Sequence, residues 1–141
     1  MLIGGVAAGS YGSAYGTFDV DVAYARSRDN LERLAAILRE LGATLRGAPP
    51  QLDAKTLENG ANFTFATRFG ALDVLAEPTG APPYDQLKGR STIITVSDVE
   101  VRVASLDDLI AMKEATGRTK DTLHATEYRM ISDELRAPRE T

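Results

Sequence analysis

The apolar positions of this chain fall into two periods. Leu31, Leu34, Ala35, Leu38 and Leu41 recur at helical spacing until Gly42, the stripe of a helix packed on a core. Just ahead, Asp29-Asn30-Leu31-Glu32 supplies an N-cap with a Glu three residues on. Further along the period drops to two. Asn62-Phe63-Thr64-Phe65-Ala66-Thr67 and Ala71-Leu72-Asp73-Val74-Leu75 predict strands joined through Arg68-Phe69-Gly70, and Thr92 to Val96 with Val99 to Val103 predict a second pair around Ser97-Asp98. Ser105-Leu106-Asp107-Asp108 opens a helix in capping-box fashion, Gly117 closes it, and Thr119 caps a last helix to about Leu135. Ala48-Pro49-Pro50 and Ala81-Pro82-Pro83 read as loops, because proline fixes φ and removes a donor. The pattern describes one domain over residues 1–136 and a flexible tail over 137–141.

Composition narrows the function classes. A chain of 141 residues with 43% hydrophobic composition is long enough for a single buried core. Sixteen basic against twenty acidic residues give a net charge of −4, which argues against a nucleic-acid coat or a broad membrane-binding face. Cysteine is absent, so disulfides and thiolate chemistry are excluded and a reducing compartment fits. The apolar start Met1-Leu2-Ile3-Gly4-Gly5-Val6-Ala7-Ala8 lacks the basic segment of a signal peptide, and no window has the eighteen or so apolar residues of a membrane span. A cytoplasmic protein without membrane contact is expected.

The chemistry begins at Asp19-Val20-Asp21-Val22. On a strand, Asp19 and Asp21 share one face while Val20 and Val22 turn to the core. Two acids so close repel unless a cation lies between them, and an oxygen-seeking divalent metal suits that place. The glycine-rich turn at Gly4-Gly5 ahead of them suits phosphates that such a metal carries. An exposed strand face with no ligand is the plain alternative. Asp73 interrupts an apolar strand and is either a third acid for the site or a residue of a wet sheet face. Lys113 follows Leu106, Leu109 and Ile110 at i+7, i+4 and i+3, inside the apolar stripe. Its ammonium either snorkels to water or enters a cleft to neutralise phosphate charge. Arg118 and Lys120 place two cations at a helix N-terminus, where the dipole favours anions. His124 is the single histidine and lacks partners for a catalytic triad, and a zinc site has neither cysteine nor a second histidine.

Thirteen residues separate Gly5 from Asp19. That spacing resembles the nucleotidyltransferase superfamily pattern of an apolar residue, Gly-Gly or Gly-Ser, a gap, and then acid, apolar residue, acid. The segment Gly12-Ser13-Ala14-Tyr15-Gly16-Thr17-Phe18-Asp19-Val20-Asp21 is similar to that of small bacterial nucleotidyltransferases related to AbiE-type toxins, with Tyr15 standing where Arg is usual. Phe69-Gly70-Ala71-Leu72-Asp73-Val74-Leu75 resembles the strand carrying the family's third acid. The segment Leu109-Ile110-Ala111-Met112-Lys113 through Ala115-Thr116-Gly117-Arg118-Thr119-Lys120-Asp121 resembles its Leu-Ile-x-Leu-Lys helix and Ala-Gly-Arg-Pro-Lys-Asp turn, with Thr119 in place of proline. The family carries a helix ahead of its Gly-Gly strand, whereas this sequence begins in that strand, through either a late start codon or a domain that does without the helix.

The resemblance implies an α+β, nucleotidyltransferase-like fold, a small mixed twisted sheet with packed helices. It further implies that Asp19, Asp21 and Asp73 bind Mg²⁺ or Mn²⁺, that Asp73 activates the attacking hydroxyl, and that Lys113 joins them in catalysis. Gly4, Gly5, Ser13, Thr17, Lys120 and Asp121 would bind the nucleotide. The implied activity moves a nucleotidyl group from a nucleoside triphosphate to an RNA, protein or small-molecule acceptor, as the toxin of a toxin-antitoxin pair or otherwise. A catalytically silent domain of the same fold, binding a nucleotide or a partner protein, is the alternative. A purely RNA-binding module is disfavoured by the negative charge and an aromatic content of 6%.

Overall fold

Strands this short do not persist singly, and here six of them pair into one sheet. The computed structural model describes residues 1–45, 47 and 51–140, so the loop expected at Ala48-Pro49-Pro50 lies outside the described residues. Chain order is β1 (Leu2–Ile3), α1 (Gly4–Ser10), β2 (Asp19–Ala23), α2 (Arg28–Glu40), α3 (Ala54–Asn59), β3 (Asn62–Thr67), β4 (Gly70–Leu75), α4 (Tyr84–Gly89), β5 (Thr92–Val96), β6 (Val99–Val103), α5 (Leu106–Ala115) and α6 (Thr119–Arg136). The sheet runs β3-β4-β2-β1-β6-β5. β2 with β4 and β1 with β6 are parallel, and the other neighbours are antiparallel. The architecture is mixed α+β, the class that the resemblance implies.

Both expected hairpins form. Ser97 and Asp98 adopt φ of 48° and 65°, the positive values that a two-residue hairpin turn requires at both positions. Side-chain alternation then assigns each sheet face its cover. Val22, Leu72, Val74, Phe63 and Phe65 face Leu31, Ala35 and Leu38 of α2 and Leu57 of α3. Ile3, Ala23 and Leu75 join the opposite cluster, with Ala7 and Ala8 of α1, Leu87 of α4, Leu106, Leu109 and Ile110 of α5, and Tyr128 of α6. Val20 departs from its expected core position, for at the outer end of its face it remains 38% exposed.

The helix starts shift where a better acceptor is at hand. Ser27, rather than Asp29, caps α2 by accepting from the Asn30 amide, and Asp29 lies in the first turn. Thr119 is the first residue of α6, whose N-cap is Arg118. Ser105 caps α5 as expected, its hydroxyl accepting from the Asp108 amide and donating to the Asp108 carboxylate. Helices α1, α3 and α4 are additions to the predicted set. Each spans six or seven residues, too few for a helical period to show, and each is held by buried side chains such as Ala7, Leu57 and Leu87. α6 ends at Arg136, and residues 137–140 lie outside regular structure.

Phe65 and Phe18 test this packing as a pair, being 1% and 100% exposed. Phe65→Ala should cost about 3–5 kcal/mol by urea unfolding. Phe18→Ala should change stability by less than about 0.5 kcal/mol. Equal effects at the two positions would contradict the burial of β3 beneath α2.

Candidate active site

The acids are brought together by strand register. β2 lies parallel to β4 with Asp21 opposite Asp73 and Asp19 opposite Ala71. Residues opposite one another share a sheet face, and so do residues two apart on one strand, so all three carboxylates project toward α5 and α6. Asp19 is exposed at the outer end, while Asp21 and Asp73 are half-buried. Oδ1 of Asp21 and Oδ1 of Asp73 are buried without a hydrogen-bond partner. Burial pushes the Asp21 carboxyl up to about 6, aided by the adjoining Asp73 carboxyl and by the charge of Asp19, and Lys113 opposes only part of this. Among the described residues no three His, Cys, Asp or Glu side chains stand gathered as a complete ligand set. The arrangement is a close pair, Asp21 and Asp73, with Asp19 beyond it.

Gly4 serves this pair directly. Gly4 has φ of 69°, and a Cβ there would lie 2.2 Å from Asp21 Oδ2. A Cβ on Gly5 would lie 2.9 Å from Thr17 Cβ. The space these glycines leave is taken by the chain's own side chains. Thr17 in turn closes the turn into β2, its hydroxyl donating to the Asp19 carbonyl and accepting from the Asp19 amide. Ser13 is drawn to α6, where its hydroxyl and the Ala14 amide both donate to the Glu127 carboxylate.

Across from the acids stands a set of cations on α5 and α6. Lys113 enters the cleft, its ammonium 3.3 Å from Asp121. Asp121 is 5% exposed; burial alone would raise its carboxyl, but the Thr116 hydroxyl, Lys113 and Arg118 hold it below the usual carboxylate range. Arg118 reaches the same carboxylate at 2.8 Å, and the Thr116 hydroxyl donates to it at 2.7 Å. Asp121 is thus the anchor that positions Lys113 and Arg118, not an open ligand-binding group. Lys120 pairs with no carboxylate among the described residues.

Two cavities meet at the acid pair. One, of about 560 Å³, carries Gly5, Tyr15, Thr17, Asp19, Arg118, Lys120 and His124. The other, of about 270 Å³, carries Gly4, Asn62, Leu75, Thr79, Leu109 and Met112. Asp21, Asp73, Lys113, Arg118, Asp121 and Tyr128 line both. Of the expected site residues only Ser13 faces neither. His124 and Tyr128 are site residues that motif reading passes over, yet they follow Asp121 at i+3 and i+7, the buried face of α6. That helical spacing was the available signal. Burial, with Lys113 and Lys120 nearby, holds the His124 imidazole below its usual pKa.

The chain matches no protein-family model and no curated protein sequence. What the site can do follows from its chemistry. Two orphan carboxylate oxygens offer a seat to a hard cation, and Lys113, Arg118 and Lys120 on the facing wall of the cavity suit an anion bound beside it.

Without metal, the acid pair should leave a mark on stability. The folded chain keeps the Asp21 proton to about pH 6 and the unfolded chain releases it near 3.8, so folding free energy is lost as pH rises through that window and stays lost above it. Asp21→Asn should therefore be more stable than wild type at pH 7, by on the order of a few degrees in Tm, with the gap closing toward pH 4. A gap that widens on acidification would contradict the crowded pair.

Proposed function

We propose that the chain is a nucleotidyltransferase that uses Mg²⁺ or Mn²⁺ to pass a nucleotidyl group from a nucleoside triphosphate to an acceptor. The observation that carries this reading is the Asp21–Asp73 pair, with a buried, unpartnered oxygen on each carboxylate, facing Lys113 at the junction of two cavities. Two carboxylates with a third nearby also fit a hard cation, because Mg²⁺ commonly takes one or two protein carboxylates and fills its shell with water and substrate phosphate. When bound, it would polarise the α-phosphate and offset its charge.

The chain's own groups would do the rest. Asp21 and Asp73 hold the cation through oxygens that have no other partner, and Asp19 adds charge at the outer rim. Asp73 accepts the proton of the acceptor hydroxyl as that oxygen bonds to the α-phosphorus. The bond from the α-phosphorus to the β-phosphate bridging oxygen breaks, and pyrophosphate leaves. Lys113, fixed by Asp121, neutralises charge on the transferring group, and Lys120 and Arg118 hold the leaving phosphates. A fold of the AbiE-type toxin kind, with an antitoxin or other partner protein, belongs to the same proposal, as does a cytoplasmic location. No helix among the described residues is long and apolar enough to cross a membrane.

A second reading, a silent domain that binds a nucleotide or a partner, draws on one observation. Ser13 is engaged by Glu127, and Gly4 and Gly5 are filled by Asp21 and Thr17, so groups expected on phosphates are already used within the fold.

The deciding assay offers labelled nucleoside triphosphates with Mg²⁺ or Mn²⁺ to RNA, protein and small-molecule acceptors. Wild type should transfer label, and Asp21→Asn, Asp73→Asn and Lys113→Met should each lower the rate by roughly a hundredfold or more. All three should keep a cooperative fold. No transfer to any acceptor, with no triphosphate binding by calorimetry, would favour the silent domain.

A further inference from the structure

His124 is 8% exposed and its Nδ1 has no hydrogen-bond partner. A buried ring nitrogen left unpaired weighs against folding, so its persistence at the edge of a cavity points to a partner that arrives later. The ring stands in the second turn of α6, a helix of 18 residues whose N-cap side chain makes no capping bond. Its free first-turn amides favour an anion. Lys113, Arg118 and Lys120 line the same cavity; of its four acids Asp121 is already matched by Lys113, Arg118 and Thr116, while Asp19, Asp21 and Asp73 stand on the opposite wall, where the proposed divalent cation would answer them.

Tyr15 covers the ring, the two centroids 4.0 Å apart and tilted by 40°. Tyr15 is itself 43% exposed, and it sits between Gly12, at a φ of 110°, and Gly16. A side chain so exposed and so flanked can leave the imidazole with little rearrangement of the fold. An uncharged imidazole carries one N–H and one lone pair, so it can donate to a phosphate oxygen without adding charge.

We propose that His124 contacts phosphate in the polar cavity, its unpartnered Nδ1 being taken by an oxygen of an oligophosphate ligand once Tyr15 swings aside. The inference rests on the nucleotidyltransferase reading, since that reading supplies the triphosphate.

The probe is inorganic tripolyphosphate with Mg²⁺. Because His124 is the only histidine, selective ¹⁵N labelling yields one Nδ1 resonance without assignment. Tripolyphosphate should shift that resonance, and His124→Phe, which preserves a ring between Tyr15 and Tyr128, should weaken calorimetric binding about ten- to a hundredfold. His124→Asn, with an amide nitrogen near the Nδ1 position, should regain much of the loss. Should the Phe variant fail to fold, the wild-type resonance decides alone. Tripolyphosphate bound with no change at Nδ1, or bound as tightly by the Phe variant as by wild type, overturns the role of His124 and leaves the parent reading standing. A wild type that binds no tripolyphosphate overturns the His124 proposal, and calorimetry with nucleoside triphosphates then shows whether the parent reading falls as well.

Discussion

The register of β2 against β4 is the constraint on which the site depends. Asp21 sits opposite Asp73 only while Val22 sits opposite Val74, and Val74 is wholly buried under α2. A slip of one residue would turn the acids into that apolar cluster and Val22 into the cavity. Burial of one sheet face therefore enforces the crowding of carboxylates on the other. Gly4, the first residue of α1, completes the arrangement, because any side chain there would strike Asp21.

Crowded acids are a liability to folding unless a cation is supplied, and the protein supplies one only in part. Lys113 faces the pair but is shared with Asp121, which Arg118 and Thr116 also satisfy. The lysine is held in place by the acid it already pairs with, leaving the Oδ1 atoms of Asp21 and Asp73 unanswered. A site that keeps its strain in the resting state and relieves it on binding is what a cation-dependent centre requires.

Much of this was legible in the sequence, because the signals are periodic. The strands at 62–67 and 92–96 appear as expected, and Asp19, Asp21, Asp73 and Lys113 line one cavity, with Asp19 set apart from the Asp21–Asp73 pair. What was not legible lies in local competition. Ser27 outbids Asp29 as a cap because its hydroxyl is in reach of the Asn30 amide, and no periodicity encodes that choice. Gly4 and Gly5 read as room for phosphate, whereas the fold fills that room with Asp21 and Thr17. Ser13 has the right type for a phosphate contact, yet Glu127, more than a hundred residues later, claims its hydroxyl. His124 has no motif partners, and its place in the cavity comes from tertiary packing under Tyr15.

The central claim is that Asp21 and Asp73 together seat a divalent cation, and anomalous diffraction from crystals soaked in Mn²⁺ tests it most directly. The account predicts an anomalous peak within coordination distance of both carboxylates, on the side facing Lys113. Crystals that show Mn²⁺ elsewhere, with Asp21 and Asp73 joined by a short hydrogen bond and no peak between them, would contradict it.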